Sequence, residues 1–342
     1  MATWYAKTMP ASRGESDSKR TALSLRIDHF EDIHLHASSV REWRQTYSQL
    51  TAGPLSSSLS QIRNPRFHAF RERINQRVVQ HGEAPRGRVC FAVPLFMPGT
   101  VRMQGRDADD ASLFVLRGGD EFMCHMPMGM DMLAITFDGS LFESAVSSTG
   151  CVDEINTLLK QPVVRVPAER LAASRRRLMA MFSEAEAQST LPAPPEGVEL
   201  QLEQAMLDEL LGLIADPACD RGQQHGSSVR SFIVEKCHRM TISDTVNAPS
   251  VVELCERLRV SRRTVQNSFR SVAETTPVNY IRSIRLNGVR RELMSTRACE
   301  LSIGDAAARW GFFHLSHFAA DYHELFGELP SQTMRTVRSA DR

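Results

Sequence analysis

The chain has no run of about eighteen apolar residues, so no segment is suited to cross a bilayer as a helix. Its seven cysteines, Cys90, Cys124, Cys151, Cys219, Cys237, Cys255 and Cys299, are scattered, odd in number and never spaced as CxxC. That argues against a disulfide framework or a structural zinc site and points to a reducing, cytoplasmic setting. Met1–Arg20 is polar and lacks the apolar core of a secretory signal, and residues 1–19 are expected to be disordered. There is no phosphate-binding glycine loop and no legible nucleophile–base pair, so no catalytic residue is assigned and an enzyme is not expected. Net charge is also scarce, at +1 over 342 residues, but it is unevenly spread. Residues 229–342 hold 17 Lys+Arg against 12 Asp+Glu, or +5, and the remainder holds 24 against 28, or −4. A basic C-terminal part joined to an acidic N-terminal part suits nucleic-acid binding coupled to another task.

What is present is a pattern that occurs twice, about fifty residues apart, near the C-terminus. Val252–Phe269 and Ile303–Tyr322 each read as a short helix, a tight turn and a second helix. This is the helix-turn-helix pattern, whose second helix enters a DNA major groove. The first helix must be thin where the two cross, and Cys255 and Ala307 are small there. Four residues later the turns fall at Arg259 and Gly311. Leu254, Leu258, Val260, Val265 and Phe269 recur at helical spacing in the first unit, and Ile303, Ala306, Trp310, Phe312, Phe318 and Tyr322 do so in the second. Ser261 is placed to cap the first recognition helix. Between the units, Pro277 can open a helix over Val278–Met294. Its apolar side is Ile281, Ile284, Leu286, Val289 and Leu293, and Arg282, Arg285, Arg290 and Arg291 are expected to surround it with positive charge. One rigid helix joining two such units fixes their separation, about 34 Å for adjacent grooves on one DNA face.

Upstream, residues 24–40 read as a strand and a turn leading into a helix over Val40–Leu50, with Trp43, Tyr47 and Leu50 on one side. Residues 56–140 have strand character, with runs at Arg88–Leu95, Ser112–Leu116, Glu121–Met126 and Met132–Phe137 punctuated by glycine and proline turns. Residues 141–186 read as helical, Leu191–Pro195 breaks the chain, and Glu199–Ala215 resumes a helix. That helix suits dimerisation and packing on its own barrel equally well. The expected fold class is α+β: a β-rich, cupin-like domain with helices over residues 20–215, a linker at 216–228, and an all-α double helix-turn-helix domain at 229–335.

The string Pro277–Leu286, followed by Ile303, Gly311-Phe312, Phe318, Tyr322, Phe326-Gly327 and Pro330-Ser331, resembles the signature of the AraC/XylS family of transcription regulators. Val260–Asn267, Arg285–Leu293 and Trp310–Leu315 are most similar to the subgroup that regulates ethanolamine-utilisation operons. The resemblance implies a sequence-specific regulator of transcription in the cytoplasm, an activator or alternatively a repressor. Its implied partners are double-stranded DNA, RNA polymerase, a small-molecule effector bound by the N-terminal sensor domain, and a possible second copy of the chain. The subgroup implies ethanolamine together with adenosylcobalamin as effectors. In the first unit the resemblance makes Arg263, Gln266, Asn267 and Arg270 base-facing, and Arg and Gln/Asn suit guanine and adenine edges respectively. Arg262, Thr264 and Ser268 are assigned to phosphate. In the second unit the corresponding face is His314, Leu315, Ser316, His317 and Ala320. Ala320 stands where the family pattern carries a base-reading arginine, which implies readout there by shape and methyl contacts.

Three other signals compete with this reading. Gly118–Phe122 spells the signature string of diguanylate cyclases, but the flanking short strands offer no alternating α/β unit to carry that chemistry. His34 and His36, with His29 nearby, would share one strand face, yet no further ligands follow at metal-site spacing, so no metal is assigned. The group Met123, Met126, Met128, Met130 and Met132, with Cys124 and His125, fits adaptable core packing or an apolar pocket better than copper(I) binding.

Overall fold

The computed structural model describes residues 26–189, 197–219, 229–295 and 301–334. The expected frayed terminus at 1–19, the Leu191–Pro195 break and residues 220–228 of the linker lie outside them. The chain begins with β1 (Arg26–Phe30), α1 (Ile33–Ser39), β2 (Arg44–Gln49), β3 (Ser57–Asn64), β4 (Phe67–Ile74) and β5 (Val78–Glu83). It continues through β6 (Arg88–Phe96), β7 (Val101–Met103), β8 (Arg106–Ala108), β9 (Ser112–Arg117), β10 (Glu121–Met126) and β11 (Met130–Asp138). Then come α2 (Gly139–Ser147), α3 (Val152–Leu158), β12 (Val163–Arg165), α4 (Ala168–Ser189) and α5 (Val198–Ile214). The strands form two antiparallel sheets, one in the order β1-β3-β4-β11-β6-β9-β12 and one in the order β2-β5-β10-β7-β8.

Four layers follow from which faces are apolar. Helices α2 to α5 cover the outer face of the larger sheet, where Phe67, Phe91, Phe137, Phe142, Phe182 and Met206 are buried together. Between the sheets lie Tyr47, Phe114, Phe122, Cys124, Met126 and Met132. The outer face of the smaller sheet supplies Leu50, Val79 and Met123 to a third core shared with the C-terminal helices. Strand β10 shows the rule most clearly. Phe122, Cys124 and Met126 point between the sheets, and Met123 turns to the helices. A strand buried on both faces reads as one continuous apolar run, which accounts for most of the methionine group.

The Val40–Leu50 helix does not form; that stretch is β2, paired with β5 in the register Tyr47↔Gln80. Trp43, Tyr47 and Leu50 mimic helical spacing, but they serve different cores: Tyr47 the inter-sheet core, Leu50 the interdomain one. The helix lies earlier, at α1, where the Asp32 carboxylate caps the His34 and Leu35 amides at 2.7 and 2.9 Å. His34 and His36 therefore sit on a helix rather than a strand, and residues two apart on a helix do not share a face. The 141–186 stretch is helical except for β12, a three-residue strand that pairs with β9 through Val163 and Val164. Helix α5 buries Leu202, Met206, Leu210 and Leu213 against its own domain, so packing on the chain's own sheet accounts for its apolar face. Gly118 lies in the β9–β10 turn, where a side chain would collide with the Pro85 carbonyl and the Gly87 amide. Tight backbone packing explains that glycine.

The C-terminal helices are α6 (Val229–Ser243), α7 (Val251–Leu258), α8 (Arg262–Val272), α9 (Pro277–Ser295), α10 (Ile303–Arg309) and α11 (Leu315–Phe326). No helix of the described residues is long and apolar enough to cross a membrane.

Candidate nucleic-acid interface

Each helix-turn-helix unit is built by the same local devices. Helices α7 and α10 both open with a capping box: Ser250 with Glu253, and Ser302 with Asp305. Both turns close with a bond of the same kind, from the Val260 amide to the Cys255 carbonyl at 3.0 Å and from the Phe312 amide to the Ala307 carbonyl at 2.9 Å. This six-residue closure needs a left-handed residue after the helix, supplied by Arg259 (φ 52°) and Gly311 (φ 72°). Ala307 is fully buried, as the crossing requires, and Cys255 is partly buried. Ser261 caps α8 by accepting from the Thr264 amide at 3.1 Å. The two capping boxes were legible in the sequence as Ser-x-x-Glu and Ser-x-x-Asp ahead of an apolar run.

The recognition helices are divided sharply between faces. On α8, Val265, Ser268, Phe269 and Val272 are buried, and Arg262, Arg263, Gln266, Asn267 and Arg270 are exposed. No carboxylate pairs with these three arginines among the described residues, so their charge stays available. Thr264 is half-buried, its hydroxyl 2.9 Å from that of Ser261. Ser268 faces inward and donates to the Thr264 carbonyl at 2.8 Å, so it cannot take the phosphate role assigned to it. On α11, His314, Leu315, Ser316, His317 and Ala320 are all exposed, and Phe318, Tyr322, Leu325 and Phe326 are buried. Phe313, in the turn before α11, is 69% exposed beside them.

Helix α9 joins the two units and packs against both. Tyr280, Ile281 and Ile284 enter the first unit's core, and Leu286, Val289 and Leu293 the second's. Its 19 residues span about 28 Å at ~1.5 Å per residue. The expected basic surround does not appear. Arg285 donates to the Trp310 carbonyl at 2.6 Å and lies over the Phe312 ring. Arg290 is buried between Asp32 and Glu328, and Arg282 lies 3.5 Å from Asp321. Arg285, Arg290 and Arg282 thus tie α9 to its neighbours, and Arg291 is half-buried, its Nε without a hydrogen-bond partner among the described residues.

The β-rich domain grips this strut directly. The Asn287 side chain accepts from the Gln49 amide and donates to the Gln49 carbonyl, both at 2.9 Å, closing the edge of β2. The Gly53 amide donates to the Leu325 carbonyl at the end of α11. The Tyr280 hydroxyl lies 3.3 Å from His125 Nε2 and 3.0 Å from His238 Nδ1. One hydroxyl hydrogen can serve only one of them, so the other ring donates to the tyrosine oxygen. Burial pushes His125 down to about 3, with Arg102 and Arg77 adding to it, and pushes His238 well below its ordinary value.

A helix-turn-helix domain family matches residues 254–336. The chain is 33% identical to the XylDLEGF operon transcriptional activator of Pseudomonas putida over 155 residues, 45% of this chain and 46% of that one. It is 33% identical to the probable thc operon regulatory protein of Rhodococcus erythropolis over 88 residues, 26% of each. The match thus spans about half the length of the first of these relatives or less. Among solved structures, the AraC-like transcriptional activator CuxR is similar at 12% identity and a TM-score of 0.42, over 84% of this chain and 100% of that one. These relatives are regulators of transcription, not a class of enzyme. The C-terminal part of this chain thus matches a helix-turn-helix domain family, and the chain is similar over part of its length to regulators of transcription.

Proposed function

We propose that the whole chain is a ligand-responsive activator of transcription in the cytoplasm. It binds DNA by setting α8 and α11 into adjacent major grooves. The carrying observation is the pair of recognition helices, each with an exposed face, polar on α8 and mixed on α11, held by one packed helix. Arg263, Gln266, Asn267 and Arg270 read bases, and Arg262 and Thr264 hold phosphates. His314, Leu315, Ser316, His317 and Ala320 face the second groove. Activation is supported by the name of one relative, the XylDLEGF operon transcriptional activator. The β-rich domain is the sensor. It touches α9 and both units, so a small molecule that favours one seating of that domain shifts the population competent for DNA or for RNA polymerase. A second copy of the chain on a two-site operator fits the same scheme.

Ethanolamine with adenosylcobalamin, implied by the Arg285–Leu293 and Trp310–Leu315 strings, is the first effector pair to try by thermal unfolding. A ligand at a hundred times its Kd stabilises by about 2.7 kcal/mol. The test of the main reading is footprinting on the promoter region beside the protein's own coding sequence. Protection of two adjacent major grooves supports it, and binding without any sequence preference overturns it. A promoter fusion then separates activation from repression.

A further inference from the structure

We propose that the interface between the β-rich domain and the C-terminal helices is an acid-released latch. Histidines from both sides hold it closed while neutral, and acidification frees the β-rich domain from α9 without unfolding either part. The signal here is the proton and the site is the interface itself, whichever small molecule the β-rich domain takes.

The cluster is assembled from both parts of the chain. In the β5–β10 register His81 pairs with Met123 and Val79 with His125. Residues opposite each other on an antiparallel ladder share a face, and Met123 and Val79 pack against the C-terminal helices. His81 and His125 therefore face those helices too. From the other side comes His238 on α6, its ring centroid 5.7 Å from that of His81. His238 Nδ1 and His125 Nε2 share the Tyr280 hydroxyl of α9. His125 and His238 are 5% and 3% exposed, and His81 is half-buried.

This arrangement holds only while protons are few. The Tyr280 hydrogen needs a bare ring nitrogen, and these two imidazoles are its acceptors among the described residues. With both rings charged, both would donate to the tyrosine oxygen and its own hydrogen would be stranded. The Arg102 and Arg77 guanidiniums also oppose charge on His125. Glu235 of α6 lines the small cavity beside His125, but it is paired with Arg239 at 3.0 Å. His238 faces His81, His125, Arg239 and Arg291, and every one of these disfavours a second charge. Burial and Arg239 lower His81, while Glu121 and Glu235 oppose them. The Cys237 thiol, near Tyr280, is pushed up to about 12 by burial and stays neutral.

Release removes these constraints. His81 and His125 would then lie on an open sheet face, and His238 would lose the cover of both, so the rings return toward the ordinary imidazole value of about 6.5. The released form takes up protons first, so docking is at full strength above about pH 6.5 and weakens as pH falls below it. Each part keeps a core of its own: Phe67, Phe91 and Phe137 upstream, and Trp310, Phe318 and Tyr322 downstream.

Hydrogen exchange of the full chain, divided by the intrinsic rate at each pH, tests this from about pH 7.5 to about pH 5.5, above the ordinary carboxylate range of about 3.9–4.3. The Gln49 amide, held by the Asn287 side chain, and the Gly53 amide, held by the Leu325 carbonyl, bond across the interface. Each imidazole freed to about 6.5 shifts docking about tenfold over that range, so His125 and His238 together should cut protection of these amides about a hundredfold. Amides of β11, paired on both sides within the larger sheet, and of Phe318, bonded within α11, should keep theirs. His125→Gln and His238→Gln should each reduce the change to about tenfold. Where a variant fails to fold by circular dichroism, the profile of the unaltered protein decides alone. Unchanged protection at Gln49 and Gly53, equal loss at β11 and Phe318, or an undiminished pH response in a folded variant overturns the proposal.

Discussion

Gly288→Ala in the middle of α9 is a sharp test of how the second unit is held. On an isolated helix the change is favourable, because alanine beats glycine by about 0.8–1.0 kcal/mol. Here the new Cβ would stand 2.2, 2.3 and 2.4 Å from Cζ2, Cε2 and Cη2 of Trp310. Carbon atoms in contact sit at about 3.5–4.0 Å, so the indole must move by more than an ångström. It is poorly placed to do so. Trp310 is 7% exposed, its Nε1 donates to Glu292 at 2.8 Å, and it packs in the core with Leu286, Val289 and Phe318. Expelling a buried tryptophan from its site costs about 3–5 kcal/mol by analogy with its truncation, and the helix gain offsets roughly one of these. The net destabilisation is therefore about 2–4 kcal/mol, concentrated in α10 and α11. Gly212→Ala is the matched control. It lies in α5, and a Cβ there meets nothing within 4 Å, so the same change should stabilise by up to about 1 kcal/mol. Urea unfolding followed by tryptophan fluorescence and circular dichroism measures both, and footprinting should show loss of the half-site contacted by α11. A Gly288→Ala protein as stable as its parent, with both half-sites protected, would mean that α9 and Trp310 do not pack as described.

Three further outcomes follow from single sites. Arg263→Ala should cost about 1–3 kcal/mol and relax one base position, read by binding to an operator library; a uniform loss across sequences would make Arg263 a phosphate contact. Arg290→Met leaves Asp32 buried without its partner and should cost about 3–5 kcal/mol, much of it returned in the Asp32→Asn/Arg290→Met double variant. If the double variant is no more stable than Arg290→Met, the ion pair is not the reason. His125 stays neutral in the folded chain at about 3 against an ordinary 6.5, so the unfolded chain binds the extra proton first as pH falls. Its contribution is fully present above about pH 6.5 and is lost as pH drops toward about 3, with His238 acting in the same direction. Denaturation midpoints that stay flat through that window in the parent protein, and match those of His125→Gln, would remove the buried imidazole from the account.

Much of the DNA-binding domain is determined by sequence alone, because its signals are local. A small residue at each crossing, a left-handed turn four residues later and a serine cap act within a few residues of chain. The turns at Arg259 and Gly311 and the cap at Ser261 follow from such spacing, and the row Arg263, Gln266, Asn267 and Arg270, which the family resemblance implied, is exposed. Strand runs such as Glu121–Met126 were likewise visible, since the apolar pattern is dense there. Tertiary structure decided where one pattern could serve two ends. Trp43, Tyr47 and Leu50 fit a helix face as well as a strand, and pairing with β5 chose the strand. Ser268 looked like a phosphate ligand until the packing of α8 turned it inward. Arg285 and Arg290 of α9 looked like part of a basic surface until partners on other elements, Trp310 and Asp32, absorbed them. Asp32 lies 258 residues from Arg290 and Gln49 lies 238 from Asn287, so the grip of the β-rich domain on the strut has no local signature.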